Sequence, residues 1–316
     1  MAVQSNITEK TRYIRIAAII ALVGNAVLAV SKIVVGILSS SGAMIGDGMD
    51  SSTDVLVSII TLIIVRIISK PADKRHPWGH RRVESITTAF LSFIIFFAGA
   101  QLIINSISNL VSGTHTATPT IAAIVVTIFS IVGNLLLAYS QFVLGKRADS
   151  AIIKANAKNM ASDVLISVGV LIGFIINALT GIAHADSIIA MLIGGWIIKT
   201  AIGIFTDANI ELMDGNKNLK SYHVIVDAVN SVEGACNPHR ARMRCVSGFW
   251  DVSFDINVDP KYSISEAHAI ASQVEKELKA RLENVYDIMI HVEPSDDDST
   301  EAFGLSEDDI INEDSE

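Results

Sequence analysis

Five polar side chains lie within two long apolar stretches of the sequence: Asp47, Asp50 and Asp54 in the first, and Asn159 and Asp163 in the second. Offsets of 3, 4 and 7 residues place the aspartates on one face of a helix, and an offset of 4 does the same for the second pair. An ionised carboxylate in hydrocarbon costs at least about 2.5 kcal/mol. A divalent cation held between the two faces offsets that cost, so the spacing predicts a cage of oxygen ligands inside a membrane.

The aspartates differ in how strongly they indicate a metal site. Asp47 lies between two glycines at the start of its stretch, where it can alternatively cap the helix in the headgroup region. Asp54 and Asp163 lie well inside their stretches, and polar residues at such depth are functional by default. We therefore expect Asp50, Asp54, Asn159 and Asp163 to form the site, with Asp47 as a possible addition.

The types of ligand bear on the choice of metal. Zinc sites usually include imidazole or thiolate, whereas carboxylate and amide oxygens suit manganese and other hard cations. The general order of affinity alone still favours zinc over manganese. A carboxylate must lose its proton to bind a metal, so metal binding releases protons. The cage is therefore suited to exchanging a divalent cation for protons.

Two further sets of residues have metal-ligand chemistry. Asp73, His76 and His80 lie close together after the first of these stretches, although such a set is also typical of a solvated loop. The second set lies in the last third of the chain and comes from different predicted elements: His239, Asp255, His268, His291 and Glu293. Scattered surface histidines are common, so spacing alone leaves this second set open.

The apolar residues around these sites form long stretches. Hydrophobic residues make up 50% of the chain, and the mean hydropathy is +0.47. A hydrocarbon core takes about 20 residues to cross. The predicted spans are roughly 13–37, 44–69, 83–111, 119–144, 150–179 and 185–208. The first is too long for a cleaved secretory signal.

The basic residues predict an orientation. Lys and Arg precede the first span and lie in the connections after the second and fourth, whereas the connections near 38–43, 112–118 and 180–186 contain neither. The positive-inside rule then places both termini in the cytoplasm. Lys32 and Lys199 fall inside spans, where snorkelling or polar packing explains them.

The pattern changes after about residue 213. Apolar residues from Trp250 to Val258 alternate with polar ones, which predicts a half-buried strand. The predicted elements are a helix near 224–229, two strands joined at Ser247-Gly248, a helix near 263–282 and a strand near 286–292. The predicted fold class is thus a membrane all-α domain of six spans followed by a cytoplasmic α+β domain in α-β-β-α-β order, with its helices on one sheet face.

The last segment, from Asp296, contains ten acidic residues and no Lys or Arg, and this composition predicts disorder. The segment also explains the net charge, because −9 for the chain less −10 for the segment leaves about +1. Cys236 and Cys245 both fall in the predicted cytoplasmic part, so no disulfide is expected. The predicted division is an N-terminal segment (1–12), a transport domain (13–212), a metal-binding and dimerisation domain (213–295) and an acidic tail (296–316).

The motifs occur in one combination. They are the run from Gly46 to Asp54, the segment from Pro71 to His80, the run Arg82-Val83-Glu84-Ser85, and Asn159 with Asp163. In this combination the chain resembles the cation diffusion facilitators. The resemblance covers the six spans and the cytoplasmic domain, and it leaves out the first few residues and the acidic tail.

The resemblance implies a homodimeric antiporter that exports divalent metal from the cytosol in exchange for protons, in the cytoplasmic (inner) membrane. It implies a transport site between spans two and five at Asp50, Asp54, Asn159 and Asp163. It also implies a loop site at Asp73, His76 and His80, which only some members have. The cytoplasmic sites would lie near His239, Asp255, His268, His291 and Glu293, in a metallochaperone-like fold that supports dimerisation. No nucleic-acid partner is expected, and no cofactor beyond the transported cation.

One residue departs from the zinc-transporting members of that family. These members usually carry a histidine in the transport quartet, often where Asn159 stands here. An all-oxygen quartet resembles that of manganese transporters, so manganese is expected above zinc or iron. His76, His80 and the cytoplasmic histidines favour zinc instead, although as regulatory rather than selective ligands.

Two other classes of function fit parts of the sequence. Membrane enzymes that transfer phospholipid head groups use aspartate motifs around two metals, which the run from Asp47 to Asp54 superficially matches. The chain lacks the rest of that motif, and such an enzyme has no need of Asn159 and Asp163 on a distant span. A metal sensor or scaffold would keep the cytoplasmic histidines but needs no acids inside the membrane. A secondary transporter, and not an enzyme, is therefore predicted.

Overall fold

The computed structural model describes residues 2–38, 42–112, 121–180, 185–216, 219–296 and 303–312. The chain forms two compact units. Ile7–Asn209 make up the first, and Ile210–Glu316 together with Met1–Asn6 make up the second. The boundary lies close to the predicted end of the transport domain at residue 212.

Long helices come first along the described chain. They are α1 (Ala2–Leu38), α2 (Gly42–Ile68), α3 (Val83–Ser112), α4 (Ile121–Ala148), α5 (Ala151–Thr180) and α6 (Ala185–Leu212). Over their described residues, 5 of these helices are long and apolar enough to cross a membrane. The exception is α5, whose first half carries Lys154, Lys158 and Asp163. The predicted helical membrane domain is confirmed, and its helices follow the predicted spans.

The helices approach one another closely at glycines. A Cβ atom at Gly24 of α1 would lie 2.5 Å from Leu137 Cδ2 of α4. A Cβ atom at Gly194 of α6 would lie 3.0 Å from the carbonyl oxygen of Gly99 on α3. Lipid provides no hydrophobic drive between helices, so close van der Waals contact between small residues holds them together. At both glycines a larger residue would require the neighbouring helix or side chain to shift.

Apolar contacts also fix the parts of α2 and α5 that carry the predicted site. Val57, three residues after Asp54, belongs to one buried cluster with Ala155 of α5. Residues of α3 and α6 complete that cluster: Leu91, Ile95, Ile197, Ala201 and Ile204. Met160, next to Asn159, is fully buried in another cluster with residues of α1 and α4. Apolar contacts with neighbouring helices therefore fix the positions of the segments of α2 and α5 that carry the polar residues.

The second unit has one three-stranded sheet among its described residues. Its elements are a 3₁₀ turn (Leu219–Tyr222), α7 (His223–Asn230), β1 (Cys236–Val246), β2 (Phe249–Val258), α8 (Ile264–Arg281) and β3 (Val285–Pro294). The strand order is β1-β2-β3, with β1 antiparallel to β2 and β2 parallel to β3. The predicted α-β-β-α-β order is therefore confirmed. A positive φ at Ser247 (+56°) and Gly248 (+76°) forms the predicted hairpin turn.

The helices α7 and α8 pack on one face of this sheet. The core between them contains Ile225, Val229, Phe254, Ile256, Val274 and Leu278. β2 was predicted to be a half-buried strand, but the second half of its polar face is buried as well: Asp255 is 3% exposed and Asn257 is 6% exposed, whereas Asp251 and Ser253 are half-buried. β2 is the middle strand, and polar residues of its neighbours cover it. Asn237 Nδ2, for example, donates to Asn257 Oδ1 at 2.7 Å.

The start of α8 is closed by a capping box. Ser263 Oγ accepts a hydrogen bond from the Glu266 amide at 3.3 Å, and the Glu266 carboxylate accepts one from the Ser263 amide at 2.8 Å. The Ser263 amide, and then its hydroxyl, lower the pKa of Glu266 because they stabilise the charged carboxylate. The predicted helix near 263–282 therefore begins where this side-chain pair satisfies the first free amides.

The acidic tail differs from the predicted disorder over residues 303–312. Leu305 and Ala241 of β1 exchange two backbone hydrogen bonds of 3.0 Å each. A short helix, α9 (Glu307–Asn312), follows, and its Ile310 is 1% exposed within the core beside α7. Average composition hides two apolar anchors, Leu305 and Ile310, among the acids. We call residues 303–312 the tail segment.

Candidate metal sites

Polar residues of α2 and α5 meet inside the first unit. Asn159 Nδ2 donates a hydrogen bond to Asp54 Oδ1 at 2.9 Å. Asn159 is 8% exposed, and Asp54 is half-buried. Asp163 follows Asn159 by one turn on the same face of α5 and is also half-buried. The structure thus brings together a carboxylate and an amide from the two predicted faces.

The remaining aspartates of α2 are only partly described. Asp47 and Asp50 lie on α2, but their side chains fall outside the described part of the structure. Asp50 precedes Asp54 by four residues, so the helix places the two on the same face. The oxygen quartet of Asp50, Asp54, Asn159 and Asp163 therefore remains a prediction.

A buried lysine links α1 to α2. Lys32 Nζ donates to Ser51 Oγ at 2.9 Å, and Lys32 is 2% exposed. A Cβ atom at Gly48 would lie 2.6 Å from Ile33 Cγ1, so the two helices touch at this level. Of the two interpretations of Lys32, polar packing describes its position and snorkelling does not. The signal in the sequence was a lysine in the middle of an apolar run.

The predicted loop site lies between α2 and α3. Asp73 Oδ1 accepts hydrogen bonds from the amides of His76 at 2.7 Å and Arg75 at 2.8 Å. The amide of His76 lowers the pKa of Asp73 most; desolvation opposes it, and the amide of Arg75 adds to the lowering. His76 Nδ1 lies 3.2 Å from Asp73 Oδ1, and His80 Nε2 lies 3.6 Å from Asp73 Oδ2. A tight turn therefore gathers all three predicted residues.

The geometry of this loop cluster (Asp73, His76 and His80) fits a metal ion. One ligand atom from each residue lies within 4.8 Å of the others. The two imidazole rings are 4.3 Å apart between centroids. A carboxylate with two imidazoles is a common donor set for zinc and other borderline cations. Asp73 and His76 are exposed, so an ion can reach the cluster directly.

The second unit carries a site where β1 is irregular. Its register against β2 shifts between Cys236 and His239 and again between His239 and Arg242. Arg240, within the second shift, has a φ of +50°, which is uncommon for a residue other than glycine. Bulges of this kind re-aim side chains. Here they place His239 opposite Asp255 of β2.

Three side chains meet there, and we call them the sheet cluster: His239, Asp255 and Glu293. His239 Nε2 lies 3.1 Å from Glu293 Oε2 on β3. One ligand atom from each of the three lies within 4.8 Å of the others. An imidazole and two carboxylates suit a divalent cation such as Mn²⁺, Fe²⁺ or Zn²⁺.

An arginine shares one of these ligands. Arg240 Nη1 donates to Asp255 Oδ2 at 2.8 Å, and the carboxylate is 4% exposed. The guanidinium thus supplies a positive charge at the edge of the sheet cluster. Sequence reasoning missed Arg240, because it follows His239 directly and would point to the opposite face of a regular strand. Only the bulge with its positive φ brings both side chains to the same carboxylate.

The two other predicted ligands of the second unit lie apart from this group. His291 Nε2 is 3.4 Å from Glu293 Oε1, but its side chain is 63% exposed. His268 lies on α8 with an exposed side chain, and it is not among the described residues that meet at the sheet cluster. The structure therefore brings together three of the five predicted residues, with His291 at the margin.

A buried ion pair in the first unit was also missed. Lys10 Nζ of α1 lies 3.2 Å from Glu84 Oε2 of α3, and the side chains are 8% and 1% exposed. Ser150 Oγ donates to the other oxygen of Glu84, and Lys10 Nζ also donates to the Asp149 carbonyl at 3.0 Å. The group joins α1, α3 and the α4–α5 connection. Glu84 lies in one of the motifs of the sequence, where spacing alone gave it no partner.

A bundle of apolar helices with buried acids, followed by a domain with metal-ligand clusters, is typical of a membrane transporter of cations. The model of the cation efflux transmembrane domain matches residues 18–213. The model of the cation efflux protein cytoplasmic domain matches residues 219–295. The chain belongs to the cation efflux family, the cation diffusion facilitators. Its members are transporters and not enzymes, which excludes the phosphotransferase alternative.

Three relatives show how far the likeness extends. The chain is 34% identical to the "Uncharacterized transporter YdbO" of Bacillus subtilis, over 85% of this chain and 92% of that protein. It is 32% identical to the "Magnetosome protein MamB" of a Magnetospira species, over 83% and 89%. It is 29% identical to the "Manganese efflux system protein MneS" of Bacillus subtilis, over 88% and 94%. The likeness therefore spans both units.

Proposed function

We propose that this cation efflux protein exports a divalent cation, manganese above zinc and iron, from the cytosol in exchange for protons. The observation that carries the proposal is the hydrogen bond from Asn159 to Asp54, which joins the polar faces of α2 and α5. Two helices that share one buried polar region can hold a cation between them and can also separate it from either side of the membrane.

The residues of this region support an exchange mechanism. Asp50, Asp54 and Asp163 supply carboxylates, and Asn159 supplies an amide oxygen. The Asn159 amide donates to the Asp54 carboxylate and holds it in position. A divalent cation binds when the carboxylates are deprotonated, and protonation of the same groups promotes its release. Rocking of the helices between states open to each side then couples metal export to proton entry.

The donor set supports manganese as the preferred cargo. All four quartet residues offer oxygen, which suits Mn²⁺ better than it suits Zn²⁺. The relative MneS bears the name of a manganese efflux protein. Zinc or iron is the second candidate, because the loop cluster and the sheet cluster both contain imidazoles. In our proposal these clusters bind metal for regulation and leave the choice of cargo to the quartet.

The orientation and assembly follow from the charges and the domain family. Lys146 and Arg147 lie in the last turn of α4, and five basic residues lie between the second and third predicted spans. By the positive-inside rule both termini are cytoplasmic, in the cytoplasmic membrane. The cytoplasmic domain supports a homodimer, in which metal at the sheet cluster shifts the population toward a transport-competent state.

The test is a transport assay in proteoliposomes with the internal pH recorded. Mn²⁺, Zn²⁺ and Fe²⁺ compete in pairs for the wild-type protein and for Asp54→Ala and Asp163→Ala. Both variants should lose metal uptake together with the accompanying proton movement. Asp227→Ala, which removes an exposed carboxylate of α7, should transport normally. Normal uptake by either site variant would refute the assignment, and uptake without any change in internal pH would refute the antiport.

A further inference from the structure

The tail segment lies beyond the matched cytoplasmic domain, which ends at residue 295, and it docks beside the sheet cluster. We propose that the docked tail segment and a metal ion in the sheet cluster exclude each other, with Arg240 as the link. The tail segment would then be a latch that cytosolic metal releases. The metal half of this inference rests on the regulatory site proposed above, whereas the link between Arg240 and the tail does not.

The tail segment contacts the backbone of Arg240 and its neighbour directly. Leu305 pairs with Ala241 through two backbone hydrogen bonds of 3.0 Å. Gly304 has a φ of +89°, and a Cβ atom there would lie 2.5 Å from the carbonyl carbon of Arg240. Ile310, 1% exposed, anchors the far end in the core. Docking therefore depends on the position of the backbone at residues 240 and 241.

That backbone position is held from two sides. Arg240 has a φ of +50°, and such a conformation persists in a residue with a side chain only where its surroundings impose it. On one side, its guanidinium donates to Asp255 at 2.8 Å. On the other side lie Gly304 and the Ala241–Leu305 pair. If the hydrogen bond to Asp255 is lost, the Arg240 backbone can relax and the tail segment loses the surface on which it docks. If the tail segment undocks, the same relaxation weakens the hydrogen bond between Arg240 and Asp255.

A metal ion acts on the first support. The ligand atoms of the sheet cluster lie within 4.8 Å of one another, so a dication there sits close to the Arg240 guanidinium that shares Asp255. The two cations repel in a buried, poorly screened place, and the dication takes the carboxylate. Arg240 then withdraws, its backbone relaxes, and Gly304 and Leu305 lose their fit. By linkage, undocking of the tail segment must strengthen metal binding by the same factor.

The link itself is tested without metal. Hydrogen exchange followed by mass spectrometry on the purified full chain reports the amides of the tail segment, including that of Leu305. Arg240→Gln should speed their exchange about fivefold or more. The control is Arg242→Gln, which removes an exposed arginine two residues along β1 and should leave the exchange unchanged. Equal protection of the tail segment in wild type and Arg240→Gln overturns the proposal, whatever the metal does.

The metal trigger is tested in an Asp54→Ala, His76→Ala background, so that no signal comes from the proposed transport site or from the loop cluster. Mn²⁺ and Zn²⁺ should each speed exchange of the tail segment, and His239→Ala should abolish that response. Binding at the sheet cluster with no change in the tail segment overturns the latch. If neither ion binds at the sheet cluster, the regulatory site and the release of the tail segment by metal are both overturned. The hydrogen exchange of Arg240→Gln then decides whether tail docking depends on Arg240.

The reciprocal effect supplies a third measurement. Gly304→Val cannot keep the contact with Arg240 and should undock the tail segment. Calorimetric titration with Mn²⁺ in the same background should then show a dissociation constant lowered about fivefold or more. Phe303→Ala alters a neighbouring side chain that is 73% exposed, and it should bind like the wild type. Unchanged or weaker binding in Gly304→Val contradicts mutual exclusion.

Discussion

Asn159 donates a hydrogen bond from Nδ2 to Oδ1 of Asp54, at 2.9 Å and across 105 positions of the sequence. In this contact the nitrogen of the amide faces the carboxylate, and only the amide oxygen is suited to bind a metal. The same position can carry either an oxygen donor or, with one substitution, an imidazole. The identity of residue 159 is therefore the point at which metal preference can be changed without removing a carboxylate.

Asn159→His should move the transport preference from manganese toward zinc. An imidazole is a better ligand for Zn²⁺ than for Mn²⁺, and its second nitrogen can still donate to Asp54. We expect the Zn/Mn uptake ratio to rise about tenfold, which corresponds to about 1.4 kcal/mol of differential binding. The measurement is pairwise competition in proteoliposomes.

The matched control for that substitution is Lys158→His. Lys158 is exposed at the neighbouring position of α5, so a histidine introduced there extends away from Asp54. The uptake ratio should stay at the wild-type value. A ratio that is unchanged in Asn159→His, or equally changed in both variants, counts against the choice of residue 159 as the selective position.

Removing one charge of the buried Lys10–Glu84 pair should destabilise the protein more than replacing both charges by apolar residues. Glu84→Ala leaves the Lys10 ammonium without its carboxylate at a site that is 8% exposed, and we expect a loss of about 3–5 kcal/mol. The double variant Lys10→Met with Glu84→Leu removes both charges and should recover most of that loss. Thermal unfolding in detergent compares the stability of the wild type, Glu84→Ala and the double variant. A double variant less stable than Glu84→Ala alone would contradict this prediction.

Adjacent glycines of α6 offer a sharp test of helix packing. A Cβ atom at Gly194 would lie 2.7 Å from Ile103 Cγ1 and 3.0 Å from the Gly99 carbonyl, whereas one at Gly195 meets nothing within 4 Å. Gly194→Ala should therefore destabilise the bundle by about 1–3 kcal/mol. Gly195→Ala should be neutral or stabilising, because alanine is the better helix former. Equal melting temperatures for the two variants would refute the close contact of α3 and α6.

The capping box of α8 should give a pH-dependent contribution. Ser263→Ala should cost about 1 kcal/mol, seen as about fivefold faster hydrogen exchange in the first turn of α8. Glu266→Gln should act in the same direction at neutral pH, because the charged carboxylate is the better acceptor.

The direction of the pH effect follows from the lowered pKa of Glu266. Its contribution is present above its ordinary pKa of 4.5 and is lost as the pH falls toward the lower folded value. The difference in exchange between wild type and Glu266→Gln should therefore shrink below pH 4.5. A difference that grows on acidification would show that the carboxylate is not stabilised in its charged form.

The sequence alone determined the two-part architecture and the residue types of the candidate sites. Long apolar runs must form helices in lipid, because each helix satisfies its own backbone hydrogen bonds. The alternation of β2 and the turn at Ser247-Gly248 likewise predicted the hairpin from local pattern. Helical offsets also predicted which face of α2 and of α5 is polar, since periodicity is a local property.

Only the tertiary structure decided which of those residues meet. The hydrogen bond from Asn159 to Asp54 and the ion pair of Lys10 with Glu84 both form because helices that are distant in the chain pack together. The place of Arg240 depends on a bulge, and the docking of the tail segment depends on Gly304 fitting against that bulge. Such contacts escape periodicity and composition, because the free energy that selects them comes from long-range packing, and no local pattern of residue types encodes it.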